Sequence, residues 1–325
     1  MAARSAVPVR CVSEAGPRAE SWERLLAHVP GAGPFHRPAW RQALCAALPG
    51  FADRTLWVPD GEELRAALPV VARRTALFAR VASQPYGTPG GLWLRDPADL
   101  EAAAALVAEF ARRHARPWND CVVVDHGPPA LAPVFESQWR GARCHPVETH
   151  RRELPASVDA LDAGFTRKTR KEIRRGLRLG LRVEDCSGPA GVDEYAALQA
   201  GQLARRGGFA YPAALVRATV EGGWVRLHRV RLGEDTLAVI AVAEGGGVWF
   251  AWLMARAPET VSVPLGEVLI GELLRDAVRR GLRQADLGGS SGRESMHFFK
   301  ERFGFESVGY RVWRSGPLAG RGRSS

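Results

Sequence analysis

The stretch Gln284-Ala-Asp-Leu-Gly-Gly-Ser-Ser-Gly-Arg-Glu-Ser-Met-His-Phe-Phe-Lys-Glu-Arg-Phe-Gly-Phe-Glu306 brings an aspartate, a Gly/Ser turn, a histidine and a lysine into a short span. His297 stands one helical turn before Lys300. Histidine is the side chain whose ordinary pKa lies nearest neutrality, so it could take a proton from a reacting amine. On a partly apolar helix face it reads equally as a hydrogen-bonded packing residue. Asp286, at a strand end, could orient an amine, or it could fix the turn through side-chain to backbone bonds. A second feature is the charge run Arg167-Lys-Thr-Arg-Lys-Glu-Ile-Arg-Arg-Gly-Leu-Arg-Leu-Gly-Leu-Arg182, eight cations against Glu172 alone. Such a surface repels itself without a counter-anion and suits a phosphate-rich ligand, whereas most charge runs are merely solvated. Together these residues point to group transfer onto or from something polyanionic.

For the run to act as a surface it must be a helix with one anchored face. Phe165, Ile173 and Leu177 fall at multiples of four residues and are expected to pack inward. Arg167, Lys168, Arg170, Lys171, Arg174, Arg175 and Arg178 would then be displayed. In Val248 to Met254, Trp249, Phe250 and Trp252 alternate between the two faces of a strand. They read as core, with Trp252 the one that could stack on a base or substrate ring.

The chain has 325 residues, 46% of them hydrophobic, enough for two buried cores. The formal charge is +10 and the pI about 10.1. Both come largely from arginine, which suits bidentate phosphate or carboxylate recognition but also accompanies a GC-rich composition. Five scattered cysteines and eight histidines show no metal or redox spacing, so no metal is expected and the cysteines read as thiols of a reducing compartment. No signal-peptide core and no run of about 20 apolar residues appears, so the expectation is a cytoplasmic protein without a membrane span. Leu287 to Gly292 lacks the spacing of an ATP or dinucleotide loop. In Pro258-Glu-Thr-Val-Ser-Val-Pro-Leu-Gly-Glu267, Gly266 stands alone where an acetyl-CoA enzyme needs several glycines to bring backbone N–H groups onto a pyrophosphate. No cofactor is expected.

Apolar periodicity and Gly/Pro punctuation divide the second half into strand 181–184, helices 192–206 and 212–221, and strands 224–232, 236–244 and 248–254. Helix 264–280, strand 284–287, a short helix and strand 306–314 follow. The first half repeats nearly that order: strand 9–14, helices 19–29 and 38–48, strands 55–59 and 64–73, helix 99–114, strand 120–125, helix 129–139, strand 142–148. The reading is one α/β unit used twice: a domain over 1–154, a basic linking helix over 155–180, a second domain over 181–316 and a disordered tail over 317–325.

That order resembles a GNAT N-acyltransferase domain, and two in tandem resemble the FemABX family, whose members transfer amino acids from aminoacyl-tRNA onto peptidoglycan precursors. The resemblance rests on Phe165-Thr-Arg-Lys-Thr-Arg-Lys-Glu-Ile-Arg-Arg175, on Ala204-Arg-Arg-Gly-Gly208, and on Asp286-Leu-Gly-Gly-Ser-Ser-Gly292 with Phe298-Phe-Lys-Glu-Arg-Phe-Gly304. Ser83-Gln-Pro-Tyr-Gly-Thr-Pro-Gly-Gly91 resembles the turn at the mouth of the first domain. The missing helical arm matches the compact, FemX-like members. The turn lacks an acidic partner for an acceptor amine.

The resemblance implies two tandem GNAT-like domains, each a mixed, mostly antiparallel sheet flanked by helices. It also implies that Phe299 and Lys300 border the reacting centre, that Arg205 and Arg206 grip phosphates, and that Tyr86 faces substrate. An ammonium at Lys300 could stabilise the oxyanion formed when an amine attacks an ester, or it could be a surface cap of its helix. The function implied is a monomeric aminoacyltransferase joining an amino acid from aminoacyl-tRNA to an amine of a cell-wall or natural-product precursor. An N-acyltransferase using acyl-CoA or a carrier thioester, and a non-catalytic RNA-binding protein, are the alternatives.

Overall fold

The computed structural model describes residues 7–11, 19–29, 31–75, 78–207, 210–258, 263–290 and 292–317. The chain forms two compact units, one made of the residues up to 147 together with those from 309, the other of residues 148–308.

The first unit begins with strand β1 (Arg10–Cys11), helices α1 (Ala19–Ala27) and α2 (Pro38–Ala47), and strands β2 (Phe51–Asp53), β3 (Leu56–Asp60), β4 (Glu63–Leu68), β5 (Val71–Arg74), β6 (Ala79–Ala82) and β7 (Trp93–Leu94). Helix α3 (Leu100–His114), strand β8 (Asp120–Asp125) and helix α4 (Ala132–Gln138) follow. The strand expected over 64–73 is two, because Pro69 has no N–H to donate and the chain turns there, with Val70 N donating to Thr55 Oγ1. Strands β2, β6 and β7 were not legible in the sequence. Strands β6 and β8 run parallel, Arg80 opposite Asp120 through Ala82 opposite Val122, with α3 in the connection between them. One apolar core gathers Leu56, Leu68, Phe110, Val123, Phe135 and Trp313, and a smaller one Trp22, Leu25, Trp57 and Trp93.

Strand β9 (Arg143–Glu153) carries the chain into the second unit. There follow α5 (Val158–Ala163), α6 (Arg167–Arg178), β10 (Leu181–Asp185), α7 (Pro189–Arg206), α8 (Ala213–Glu221), β11 (Val225–Leu232), β12 (Asp235–Gly245), β13 (Val248–Arg256), α9 (Leu265–Arg279), β14 (Gln284–Asp286), α10 (Glu294–Glu301) and β15 (Glu306–Ser315). From β10 onward this is the expected order. Strands β10 to β13 form an antiparallel meander. Helix α9 then crosses over to β14, which pairs with β13 in parallel, and residues 151–153 of β9 close the far side of β14.

Two boundaries differ from the sequence reading. Residues 155–180 pack inside the second unit, where Phe165 and Ile173 join the core of Leu161, Trp249, Val268, Leu269 and Phe303. Residues 311–315 of β15 belong to the first unit, where they pair with β8, Arg311 opposite Asp125 through Ser315 opposite Cys121. Beyond Pro317 the expected tail lies outside the described residues.

Candidate active site

Strands β13 and β14 pair over three positions only, ending at Phe250 opposite Asp286. Strand β13 continues to Arg256 while β14 gives way to the Gly/Ser loop, so the second unit opens at this point. Asp286 fixes the start of the loop. It is 2% exposed, and its Oδ1 accepts from Thr149 Oγ1 at 2.5 Å and from Gly288 N at 2.7 Å, while Oδ2 lies 2.9 Å from Arg151 Nε. Both oxygens are thus engaged, which is the turn-fixing role of the two read from the sequence.

Lys300 holds the loop from below. Helix α10 presents it inward, 3% exposed, and its ammonium donates to Gly288 O at 2.7 Å and Gly289 O at 2.8 Å. It is no surface cap. Burial pushes its pKa down to about 8, against the pull of Asp286 and Glu148. Two of its three ammonium hydrogens are committed, leaving one to donate. The chain has only three lysines, this one and Lys168 and Lys171 of α6, among 45 basic side chains. Ser290, 3% exposed in the same loop, has a buried hydroxyl without a hydrogen-bond partner among the described residues.

Sequence reasoning missed the next layer. Because side chains alternate along a strand, Thr149 and Arg151 of β9 reach Asp286 while Glu148 and His150 take the opposite face. His150 is fully buried, and its Nε2 lies 2.8 Å from Nδ1 of His297, the rings edge to face. Burial first, and then the Lys300 charge, push the His150 pKa below the ordinary imidazole range. The other nitrogen of His297 lies 3.0 Å from Glu301 Oε1. His297 thus has Nε2 against Glu301 and Nδ1 facing His150 Nε2. The Ser307 hydroxyl donates to Glu148 Oε2 at 2.6 Å and, as the largest influence, holds that carboxyl below its usual pKa.

The basic helix docks beside this centre. Thr166 caps α6, and Thr166 N and Thr169 Oγ1 both donate to Arg302 O, just past the end of α10. Phe165 and Ile173 are buried as expected, and the helix's buried line is Thr169, Ile173 and Gly176, with Leu177 left out of it. Leu177 is 42% exposed, because the close approach of Gly176 to Val268 turns the helix so that 176 rather than 177 faces α9. Arg170 is also turned inward, donating to the carbonyls of Asp162, Ala163 and Phe165 at the end of α5. Arg167, Lys168, Lys171, Arg174, Arg175 and Arg178 remain exposed, Arg175 paired with Glu172 at 3.0 Å.

The other candidates scatter. Arg205 is exposed at the end of α7, within 3.4 Å of Arg256 O, and the side chain of Arg206 lies outside the described residues. Trp249 is core, whereas Trp252 is half-buried with its ring edge-on to Tyr211. Phe299 packs inward on Gly266, a β-carbon there meeting the ring at 3.2 Å, and its neighbour Phe298 is the exposed one. Gly266 therefore serves packing. Tyr86 lies in the first unit, where its ring stacks on Phe51 and its backbone φ of 63° is positive, in the turn that follows β6.

Among the described residues no helix is long and apolar enough to cross a membrane. A family model described as "Acetyltransferase (GNAT) domain" matches residues 163–300. Among solved structures, FemX matches at a TM-score of 0.68 and 14% identity, over 90% of this chain and 94% of FemX. The C-terminal domain of a putative lysylphosphatidylglycerol synthetase from Agrobacterium fabrum matches at 0.59 and 15%, over 91% and 92% of the two chains. A tandem GNAT protein from the clavulanic acid biosynthesis pathway matches at 0.55 and 18%, over 91% and 94%. No curated protein sequence matches the chain. A parallel strand pair that parts after three residues, a GNAT model over residues 163–300 and these neighbours agree: the chain has the FemX-like tandem-GNAT fold.

Proposed function

We propose that the protein is a cytoplasmic aminoacyltransferase that joins an amino acid, delivered on tRNA, to an amine of a cell-wall or natural-product precursor. The observation that carries this reading is the exposed cationic face of α6, docked through Thr166 and Thr169 onto the end of the helix that bears Lys300. A surface of that charge beside the opening of β13 and β14 suits a nucleic-acid phosphodiester backbone rather than a single pyrophosphate. Lys171, Arg174 and Arg178 would hold the tRNA backbone, with Lys168, Arg205 and Arg206 extending the grip.

When the acceptor amine attacks the ester carbonyl, negative charge gathers on the carbonyl oxygen. The remaining N–H of Lys300, in a buried setting, would stabilise it. The C–N bond forms as the ester C–O bond breaks, and the proton the amine loses passes through solvent to the departing ribose oxygen, which leaves as its hydroxyl. Orientation supplies much of the rest, since aminolysis of an ester is downhill.

A second reading, an N-acyltransferase using acyl-CoA or a carrier thioester, is favoured by the parting of β13 from β14 after Phe250, where an amide-bearing pantetheine arm could lie. Release of labelled amino acid from charged tRNA, run beside labelled acyl-CoA with a small-molecule extract as acceptor, separates the two. Enzyme-dependent amide formation from a charged tRNA supports the first reading. Labelling from acyl-CoA alone replaces it with the second.

A further inference from the structure

We infer that Glu148, His150 and His297 form a binding site for one divalent transition-metal ion, of which zinc is the type. One carboxylate oxygen and one ring nitrogen from each histidine lie within 4.8 Å of one another. Two imidazoles and a carboxylate are a donor set that zinc takes, with a fourth position left for a further ligand.

Proximity alone would be weak support. The stronger argument is what engages the far side of each group. His150 Nδ1 lies 3.3 Å from Gly288 O, and a carbonyl can only accept, so the proton belongs on Nδ1. His297 Nε2 lies 3.0 Å from Glu301 Oε1, which places its proton on Nε2. Glu148 Oε2 is taken by the Ser307 hydroxyl. The outer atom of all three side chains is thus fixed by a carbonyl, a carboxylate or a hydroxyl, the pattern of partners that orients metal ligands.

The inner atoms are then in a specific state. With both outer nitrogens protonated, His150 Nε2 and His297 Nδ1 are two bare lone pairs facing each other at 2.8 Å. That arrangement is repulsive unless something positive sits between them. Two neutral imidazoles carry two N–H protons, and both are already placed. Glu148 Oε1, 3.9 Å from His297 Nδ1, adds negative charge at the same point. Zinc–nitrogen bonds of about 2.0–2.1 Å in a tetrahedral site set the nitrogens about 3.3 Å apart, so the rings part by about half an ångström. The Glu148 carboxylate, 40% exposed, can turn about its Ser307 hydrogen bond to bring Oε1 onto the ion. The Lys300 ammonium is committed to the loop carbonyls and offers the ion no ligand.

The test is zinc binding by the full-length protein after EDTA treatment, read by competition with a chromophoric chelator and by the visible spectrum of added cobalt. One tightly bound ion per chain and a tetrahedral cobalt spectrum are expected. Glu301→Gln, which removes only an outer partner, should weaken binding by about 10–100-fold. His297→Ala should weaken it further and erase the cobalt bands, with the circular dichroism of the fold retained. Zinc bound equally by wild type and His297→Ala, for instance at the cysteines, overturns the site. So does no binding at micromolar zinc, in which case an extra proton shared by the rings occupies the gap.

Discussion

Ile173 of α6 and Gly271 of α9 occupy one space, so close that a β-carbon on residue 271 would lie 2.6 Å from Ile173 Cδ1. The same interface has a second glycine, Gly176, where a β-carbon would meet Val268 Cγ2 at 2.3 Å and Pro264 Cγ at 3.1 Å. The two contacts differ in what can yield. The end of an isoleucine can rotate away, whereas valine is stiff at χ1 and a proline ring is fixed. Gly176→Ala should therefore destabilise the fold by about 1–3 kcal/mol. Both glycines lie in helices, where alanine regains up to about 1 kcal/mol, so Gly271→Ala should cost less only because Ile173 can move, and Ile173→Val should relieve that clash. Chemical denaturation of the three variants checks the ranking, and equal losses at both glycines would contradict it.

Lys300 should show itself in both rate and stability. Replacing it with methionine is expected to slow transfer by about 10²–10³, the scale for losing one oxyanion donor, with tRNA affinity little changed. Single-turnover rates and filter binding measure the two separately, and an undiminished rate would remove Lys300 from the chemistry.

The pH dependence follows from burial. Lys300 has a folded pKa of about 8 against an ordinary 10.5, so between those values the unfolded chain binds more protons and stability rises with pH. Below about 8 the penalty is fully present. Compared with Lys300→Met, the wild type should gain up to ~3 kcal/mol between pH 7 and 10.5, at about 1.4 kcal/mol per unit. Denaturation midpoints at a series of pH values test this, and parallel curves for the two proteins would count against it.

The cationic face of α6 makes a prediction about salt. Lys171→Ala with Arg174→Ala removes two exposed cations and should leave stability within about 0.5 kcal/mol. Each lost phosphate contact should flatten the slope of log affinity against log salt by about 0.7–0.9. A variant with the wild-type slope would place the tRNA elsewhere.

Asp286 is expected to be a stability residue. Asp286→Asn keeps the shape but weakens the Arg151 and Gly288 contacts, at a cost of about 1–3 kcal/mol for a buried polar group left poorly matched. Thermal unfolding should reveal the loss, and substrate affinity measured well below the transition should stay near wild type. The reverse outcome would return Asp286 to substrate binding.

Much of this architecture is legible in the sequence because it rests on local periodicity. The run from β10 to β15 comes from alternation, from helical spacing and from glycine stops such as Gly281. What local reading misses is long-range closure. Glu148 and His150 are two residues apart on a strand and ordinary by themselves, and they acquire meaning only when the loop after β14 brings in His297 from 147 positions away. The helix that carries Lys300 is legible, but the burial of its side chain depends on the carbonyls of Gly288 and Gly289, which no spacing encodes. Leu177 reads as inward from sequence because apolar residues usually mark a helix's packed face. Here the contact needs the absence of a side chain, and Gly176 takes the position.

The last strand has a consequence for the order of events during synthesis. Residues 311–315 complete the sheet of the first unit, pairing with a strand made almost 190 residues earlier. A ribosome therefore releases the second unit's whole sequence before the first unit's sheet can close. The early half must wait with the edge of β8 exposed, and nicking the chain near residue 305 would separate the first unit from its own last strand.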